Sequence, residues 1–319
     1  MTTTTIDLFP KMVGQEAAKR KLRFFIEGYE RTNIVPHLLF CAPKGTGKTM
    51  MAREFARNLL NPETLEPKSY TEINCATIRN LRAFVEQVMA VHVNNNMDKT
   101  ILLDECSELP KDVSMALLTI LNPNSTHTNT FSYEGYDFEI DFRKTTFIFA
   151  TTEPQDVFHA LMDRLERIDL EDYSYVELAK ILRICTPEHI SFEGKLLSEH
   201  IAPILRGNAR DAQKMADHIV NYVSRKDNNK FNKNDWDKLR NILDKLPFGM
   251  TKIEFKLLET LYREGMLRLY NLAAKMQMSR SAIQNNCEVY LQKLNLIEVT
   301  QNGRRLTKAG EKLMEEDEI

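Results

Sequence analysis

Cysteine is scarce in this sequence, and its spacing excludes two kinds of cross-link. The cysteines are scattered along the 319 residues, their number is odd, and no two of them stand in a C-x-x-C pattern. A disulfide framework needs paired cysteines, and a structural zinc site needs closely spaced ligands. We therefore expect neither from Cys41, Cys75, Cys106, Cys185 and Cys287.

Long apolar runs and a strong net charge are missing too. No stretch approaches the roughly 20 apolar residues of a membrane-spanning helix. The N-terminus also lacks the basic and apolar regions of a secretory signal. These absences predict a cytoplasmic protein without membrane contact. The net charge of −2 neither requires nor excludes a nucleic-acid partner, because a local basic face would carry such binding.

The length and composition indicate more than one domain. With 319 residues, of which 43% are hydrophobic, the chain is long enough for two or three domains with cores of their own. Changes of pattern along the chain predict an α/β domain over residues 1–172, a helical lid domain over 173–247 and a winged-helix domain over 248–319.

A glycine-rich stretch, CAPKGTGKT at residues 41–49, stands between a short apolar run and a segment of helical character. Strand, glycine-rich turn and helix is the context in which such a stretch binds phosphates. Glycines let successive N–H groups turn inward, and the following helix adds its positive end. The pattern predicts that Lys48 reaches the outer phosphates of a nucleotide and that the Thr49 hydroxyl binds Mg²⁺. The predicted nucleotide-binding residues here are Pro43, Lys44, Gly45, Thr46, Gly47, Lys48 and Thr49.

Polar side chains follow two further apolar runs. One run ends in Asp104 and Glu105, and the other ends in Thr151 and Thr152. Alternating strands and helices at this spacing predict a doubly wound parallel sheet, in which ligands bind at the carboxyl ends of the strands. We expect Asp104 to hold Mg²⁺ through water and Glu105 to polarise the water that attacks the γ-phosphate. Thr152, with Thr151 as the neighbouring candidate, would sense that phosphate.

A β-hairpin is predicted between these two runs. Residues 127–142 alternate between apolar and polar residues about a glycine-containing turn, which is typical of a hairpin inserted into the α/β domain. Tyr133 and Tyr136 lie near its tip. Two interpretations remain open, because the tyrosines would serve a partner protein if exposed, or the hairpin would simply pack on its own domain.

The last part of the chain predicts a winged helix. Three helical stretches within residues 251–294 precede two short strands around an Asn-Gly turn. Residues 251–312 contain 11 Lys or Arg against 6 Asp or Glu, an excess that favours contact with the phosphate backbone of DNA. The alternative is a winged helix that binds protein. The residues predicted to bind DNA are Arg280, Arg304 and Arg305.

With these motifs in place, residues 12–313 resemble the AAA+ ATPases and, among them, the RuvB family of bacterial Holliday-junction branch-migration motors. The glycine-rich stretch and Asp104-Glu105 match the two Walker motifs of that family. Phe149-Ala-Thr-Thr152 is similar to its first sensor. The opening segment also resembles the family's, which implies that Met12 and Val13 lie against the adenine.

Further matches imply a ring. Leu161-Met-Asp-Arg164-Leu resembles the family's arginine-finger segment, so Arg164 would act on the nucleotide of a neighbouring subunit in a homo-oligomeric ring, hexameric in the family. Tyr173 matches an aromatic residue beside the adenine. Gly207-Asn-Ala-Arg210 is similar to the family's Gly-Thr-Pro-Arg, which implies that Arg210 is the second sensor. Arg304 corresponds to a DNA-contacting arginine. The resemblance implies ATP and Mg²⁺ as cofactors and DNA, as duplex or four-way junction, as the partner.

Three departures separate the sequence from the family pattern. Ala42 replaces the first glycine of the phosphate loop, where alanine would be strained if the position needed a positive φ. Met162 replaces an arginine. The hairpin turn is short and polar-aromatic where the family, which uses it to dock a junction-binding partner protein, carries aliphatic residues. A divergent, phage- or mobile-element-encoded version of the family would fit these changes.

The resemblance implies a ring-forming, ATP-dependent motor that translocates duplex DNA for Holliday-junction branch migration. One alternative is a clamp-loader or helicase-loader type of ATPase that remodels a protein partner on DNA, since similar ATPase parts serve both. A non-hydrolysing scaffold is a third reading, which the presence of Lys48, Glu105 and Arg164 argues against.

Overall fold

A computed structural model describes residues 7–93 and 98–317. Residues 1–6 and 94–97 of the predicted domain 1–172 and residues 318–319 of the predicted domain 248–319 therefore lie outside the described part. The chain groups into two compact units, Met1–Pro187 with Gly207–His218, and Glu188–Arg206 with Ile219–Ile319. Residues of the predicted lid domain 173–247 fall in both units, and the three-domain division stays a prediction.

The first unit is built on the parallel sheet that the sequence predicts. Five strands form it in the order β2-β3-β6-β1-β7, and all of their pairings are parallel. The strands β4 and β5 pair antiparallel as a separate hairpin. The strands described in this unit are β1 (Leu38–Cys41), β2 (Ser69–Asn74), β3 (Lys99–Asp104), β4 (Thr128–Tyr133), β5 (Tyr136–Asp141), β6 (Thr145–Thr151) and β7 (Glu166–Asp169).

Apolar cores cover both faces of this sheet. Alternate residues of a strand point to opposite faces, and accordingly Leu39 and Phe147 belong to one core whereas Leu38 and Ile148 belong to the other. Burial on both faces explains why β1, β3 and β6 are continuous apolar runs. The edge strand β7 has the polar sequence ERID with only Ile168 buried, and the sequence analysis did not predict it.

Helices flank the sheet on either side. The helix that follows β2 begins at Leu81, because the Asn80 side chain accepts a hydrogen bond from the Ala83 N–H (2.9 Å) and caps the helix there. It continues as a π-helical segment over Val85–Val93. The helix over Lys111–Ile120 was not predicted from the sequence. The helices that begin in this unit are α1 (Glu16–Thr32), α2 (Lys48–Arg57), α3 (Leu81–Phe84), α4 (Lys111–Ile120), α5 (His159–Met162), α6 (Tyr175–Cys185) and α7 (Ala209–Val223).

The predicted hairpin is present as β4 and β5. Its turn residues, Glu134 and Gly135, have φ values of 46° and 85°, as a two-residue hairpin turn favours. Phe131 and Phe138 belong to a core of the first unit, whereas Tyr136 is 70% exposed. The hairpin thus packs on its own domain through one face and leaves a tip tyrosine in solvent, so the two interpretations of the sequence do not exclude each other.

The second unit contains the predicted winged helix. Three helical stretches precede the antiparallel pair β10 and β11, and the third stretch is α11 and α12 joined by a π-helical turn, Gln284–Glu288. None of the helices described in either unit is both long and apolar enough to cross a membrane. The elements that begin in this unit are β8 (Ser191–Phe192), β9 (Lys230–Phe231), α8 (Lys233–Ile242), α9 (Lys252–Glu264), α10 (Leu269–Met276), α11 (Arg280–Ile283), α12 (Val289–Lys293), β10 (Ile297–Thr300), β11 (Gly303–Leu306) and α13 (Lys308–Asp317).

A half-buried histidine just before β1 gives the fold a pH dependence. The His37 ring packs edge-on against Phe142 and Phe147, with ring centroids 4.8 and 6.1 Å away, and burial lowers its pKa to about 4. Between pH 6.5 and 4 the unfolded chain therefore binds a proton that the folded chain does not. The free energy of unfolding should fall through this window as the pH falls, by up to about 3 kcal/mol.

Substitution of this histidine tests the pH dependence. His37→Phe should flatten that part of the stability curve, measured by urea unfolding at pH 7 and at pH 4.5. Parallel losses of stability in the wild type and the variant would show that other groups cause the acid sensitivity.

Candidate active site

The glycine-rich stretch forms a loop between β1 and α2. Gly45 and Gly47 have φ values of 85° and 97°, which side-chain-bearing residues rarely adopt. Ala42 does not have a positive φ; its N–H donates to the Thr151 carbonyl (3.3 Å), in continuation of the β1–β6 pairing. The alanine in place of the family's first glycine is therefore unstrained.

Lys48 lies at the base of this loop. Its side chain is mostly buried, and its Nζ donates to the carbonyls of Ala42 (2.9 Å) and Pro43 (3.3 Å). Burial lowers the pKa of Lys48, while the carboxylates of Glu105 and Asp104 act in the opposite direction. The loop thus holds a partly desolvated ammonium group, which a phosphate site requires, and two acids lie close to it.

An oxygen pair lies next to that lysine. The Thr49 Oγ1 donates to the Asp104 Oδ2 (3.2 Å), across the gap between α2 and the carboxyl end of β3. Hydroxyl and carboxylate oxygens are ligands that Mg²⁺ accepts, with phosphate and water oxygens completing its shell. A site of this kind needs few protein ligands, which agrees with the absence of any cluster of three or more His, Cys, Asp or Glu ligands among the described residues.

Glu105 and Thr152 lie together at the same sheet edge. Glu105 has φ 54° and its N–H donates to the Asp104 Oδ1 (3.0 Å), while the Thr152 Oγ1 donates to the Glu105 Oε2 (3.4 Å). Thr151 is fully buried, and its hydroxyl bonds the Ser107 Oγ (3.0 Å) instead. Of the two candidate threonines, Thr152 is therefore the one that contacts the acid.

A cavity of about 420 Å³ opens above these residues. The Tyr173 hydroxyl donates to the Thr46 carbonyl (2.9 Å), which holds the aromatic ring against the phosphate loop. Besides burial, the positive charge of Arg210 contributes to lowering the pKa of Lys48. Both cations line the same cavity. Predicted residues that line the cavity are Met12, Val13, Lys44, Gly45, Gly47, Lys48, Thr49, Asp104, Glu105, Tyr173 and Arg210.

Part of the cavity wall was missed by the sequence analysis. Ile181, Ile184 and Cys185 of α6 and Gln213 of α7 line it as well. The apolar residues of α6 were visible in the sequence. Their direction was not, because it depends on how this helix packs in the first unit.

Arg164 lies away from this cavity. It follows α5, its Nη1 donates to the Ala160 carbonyl (2.8 Å), and it is not among the residues that line the cavity of its own chain. This position agrees with a role on a neighbouring subunit and does not test it.

The winged helix presents its predicted arginines unequally. Arg280 is exposed at the start of α11, and Arg305 is half-exposed and paired with Glu298. Arg304, expected on the wing surface, instead forms a two-point ion pair with Glu288 (2.7 and 3.2 Å), and the two side chains are only 12% and 6% exposed. Arg304 lies on the same face of β11 as the buried Leu306, which directs its side chain inward. Its contact with DNA stays a prediction.

Arg304→Ala should consequently act on stability. It would leave the Glu288 carboxylate buried without its partner, at a cost of about 3–5 kcal/mol in the free energy of unfolding. Arg305→Ala is the matched control, because its exposed pair contributes about 1 kcal/mol or less. Denaturant unfolding of both variants checks this, and equal stability of the two would contradict the structural role of Arg304.

Comparison with known proteins agrees with the two halves of this description. The model of the ATPase family associated with various cellular activities (AAA) matches residues 38–173. The model of the RuvB C-terminal winged helix domain matches residues 247–315.

Similar proteins combine both parts. The Holliday junction branch migration complex subunit RuvB of Neorickettsia sennetsu is 24% identical over 306 residues, which span 93% of this chain and 88% of the relative. The subunit of the same name from Campylobacter fetus is 26% identical over 306 residues, with shares of 94% and 85%. The solved structure of the Thermotoga maritima RuvB Holliday junction branch migration motor has a TM-score of 0.72 at 21% identity, covering 97% of this chain and 98% of that one. The chain is a RuvB-like AAA+ ATPase with a RuvB-type C-terminal winged-helix domain.

Proposed function

We propose that this ATPase is a ring-forming DNA motor that translocates duplex DNA and drives branch migration of Holliday junctions. The observation that supports the proposal is the presence, in one chain, of a RuvB-type winged helix and of a glycine-rich loop beside the contacting pairs Thr49–Asp104 and Thr152–Glu105. RuvB relatives extend over more than nine-tenths of the chain, so neither part matches in isolation. The proposed compartment is the cytoplasm, where bacterial DNA lies.

The proposed ligand of the cavity is Mg²⁺-ATP. The cavity volume of about 420 Å³ lies within the range of small-molecule sites. Lys48, Arg210 and glycines of the loop line it, and they would contact the phosphates. Thr49 and Asp104 would hold the metal, which when bound neutralises charge on the phosphates. Tyr173, Met12 and Val13, which line the cavity, would contact the adenine.

Hydrolysis requires a positioned water and a stabilised transition state. Glu105 would orient and polarise the water. The Thr152 hydroxyl, which donates to the Glu105 carboxylate (3.4 Å), would also contact the γ-phosphate and so keep the two groups aligned. Lys48 would stabilise the negative charge that develops on the phosphate oxygens. Arg164 of a neighbouring subunit would complete the site, which makes a hexameric ring part of the proposal.

DNA contacts would come from the winged helix. Exposed Arg280 and Arg305 would contact phosphates, and Arg304 would hold the wing in shape through Glu288. Contacts of this kind carry no base specificity and weaken steeply with salt. Tight, sequence-selective binding at high salt would contradict the proposal.

A loader of the clamp-loader or helicase-loader type remains the second candidate. The observation in its favour is the exposed Tyr136 at the hairpin tip, which suits a protein partner, whether a junction-binding protein or a protein to be remodelled. ATPase assays discriminate between the two. Stimulation by linear duplex and by a four-way junction, in the purified chain alone, supports the motor, whereas stimulation that requires a second protein supports the loader.

A further inference from the structure

We infer that Asn208 and Ala209 are positioning residues that fasten the start of α7 to Gly45 of the phosphate loop, and so hold Arg210 beside Lys48 before nucleotide binds. The inference rests on the proposed role of Arg210 at the nucleotide phosphates. It concerns residues that contact the loop, and it assigns them no part in the chemistry.

The first contact is a backbone hydrogen bond. The Ala209 N–H donates to the Gly45 carbonyl (3.0 Å). Ala209 is the first residue of α7, whose N–H has no partner within the helix. The family's Gly-Thr-Pro-Arg has proline at this position, and proline has no N–H to donate. This bond is therefore a feature of the present sequence.

The second contact is made by the Asn208 side chain. Its Oδ1 accepts hydrogen bonds from the N–H groups of Arg210 (2.9 Å) and Asp211 (3.3 Å), so it caps α7. The same carboxamide rests on Gly45, where an added Cβ would lie only 2.0 Å from Oδ1 and 2.6 Å from Nδ2. Gly45 is thus needed both for its positive φ and for the room it leaves to Asn208.

These contacts oppose an electrostatic repulsion. Arg210 follows directly after Ala209, and both Arg210 and Lys48 line the same cavity. Two cations that act on one cavity repel each other until an anion arrives. Fastening Arg210 to the loop removes the cost of ordering it when phosphate binds, and this preorganisation appears as nucleotide affinity.

Ala209→Pro tests the backbone bond by deleting one N–H. Proline is favoured at the first position of a helix, and the extended conformation that it imposes on the preceding residue is that of an N-cap. The thermal midpoint should therefore stay unchanged or rise. The Kd of the full chain for a fluorescent ATP analogue with Mg²⁺ should rise about fivefold, as expected for one lost hydrogen bond.

Asn208→Ala tests the side chain and should raise the Kd about tenfold, because it removes both the cap and the contact with Gly45. Asn208→Thr restores a cap and should recover most of the affinity. Asn80→Ala is the matched control, since Asn80 caps α3 in the same unit without lining the cavity. It should lower the thermal midpoint and leave the Kd unchanged.

A double variant separates positioning from mere stability. If Ala209 acts through Arg210, Ala209→Pro should add nothing to the Kd of Arg210→Ala. Wild-type affinity in Ala209→Pro, or a full fivefold effect on the Arg210→Ala background, would overturn this inference and leave the proposed function standing. A wild-type chain that binds no nucleotide would overturn the proposed function with it.

Discussion

Glu105→Gln is expected to lower the steady-state ATPase rate by about 10²–10⁴-fold while ATP binding is retained. The amide keeps the shape of the side chain and the bond from Thr152, but it neither accepts a proton nor polarises water as a carboxylate does. Phosphate release and binding of a fluorescent ATP analogue, measured on the same preparation, check the two halves of this prediction.

A neighbouring acid provides the control for this variant. Glu108 lies one turn further along, is exposed and does not line the cavity, so Glu108→Gln should hydrolyse ATP at the wild-type rate. A Glu105→Gln enzyme that retained more than half of the wild-type rate would remove Glu105 from its proposed role.

Arg164→Ala should lower ATP turnover by about 10³-fold or more, the range reported for arginine fingers in phosphoryl transfer. Nucleotide affinity should change little, because Arg164 lies away from the cavity of its own chain. Arg167→Ala is the matched control, since Arg167 is a nearby exposed arginine that pairs with Asp169. Full turnover by Arg164→Ala would show that the finger has been assigned to the wrong residue.

Mixed assemblies test whether this arginine acts across subunits. Glu105→Gln and Arg164→Ala chains are each inactive on this account. At an interface between them, however, one chain contributes an intact Glu105 and its neighbour contributes an intact Arg164. A mixture of the two should therefore regain part of the wild-type activity. Failure of the mixture, in chains shown to assemble, would place Arg164 within its own subunit's machinery or outside catalysis.

The sheet and the centre of the phosphate site could be predicted because their sequence signals are local. Continuous apolar runs mark strands that are buried on both faces, and polar residues at their ends mark the edge where ligands bind. Thr49 near the start of α2 meets Asp104 there, at the carboxyl end of β3, and Glu105 follows directly. The edge strand β7 escaped this reasoning because a strand with one buried residue has no apolar run to show.

The contacts that could not be predicted are those of residues whose direction depends on tertiary packing. A basic residue beside an Asn-Gly turn reads as exposed, yet the pairing of β10 and β11 turns Arg304 inward onto Glu288, which is distant in the sequence. The cavity wall of α6 and the contact of Asn208 with Gly45 have the same origin. In each case the sequence shows the residue type but not the residue that it contacts in the folded chain.

Strand exchange on a synthetic four-way junction tests the central claim most directly. Junctions with fluorescently labelled arms are incubated with the chain, Mg²⁺ and ATP, and their conversion to duplexes is followed with Glu105→Gln as the hydrolysis control. We expect the wild type to convert junctions in an ATP-dependent manner that added salt inhibits, and we expect no conversion by the variant. Wild-type protein that hydrolyses ATP and binds junctions, yet never converts them, alone or with a junction-binding protein, would contradict a branch-migration motor.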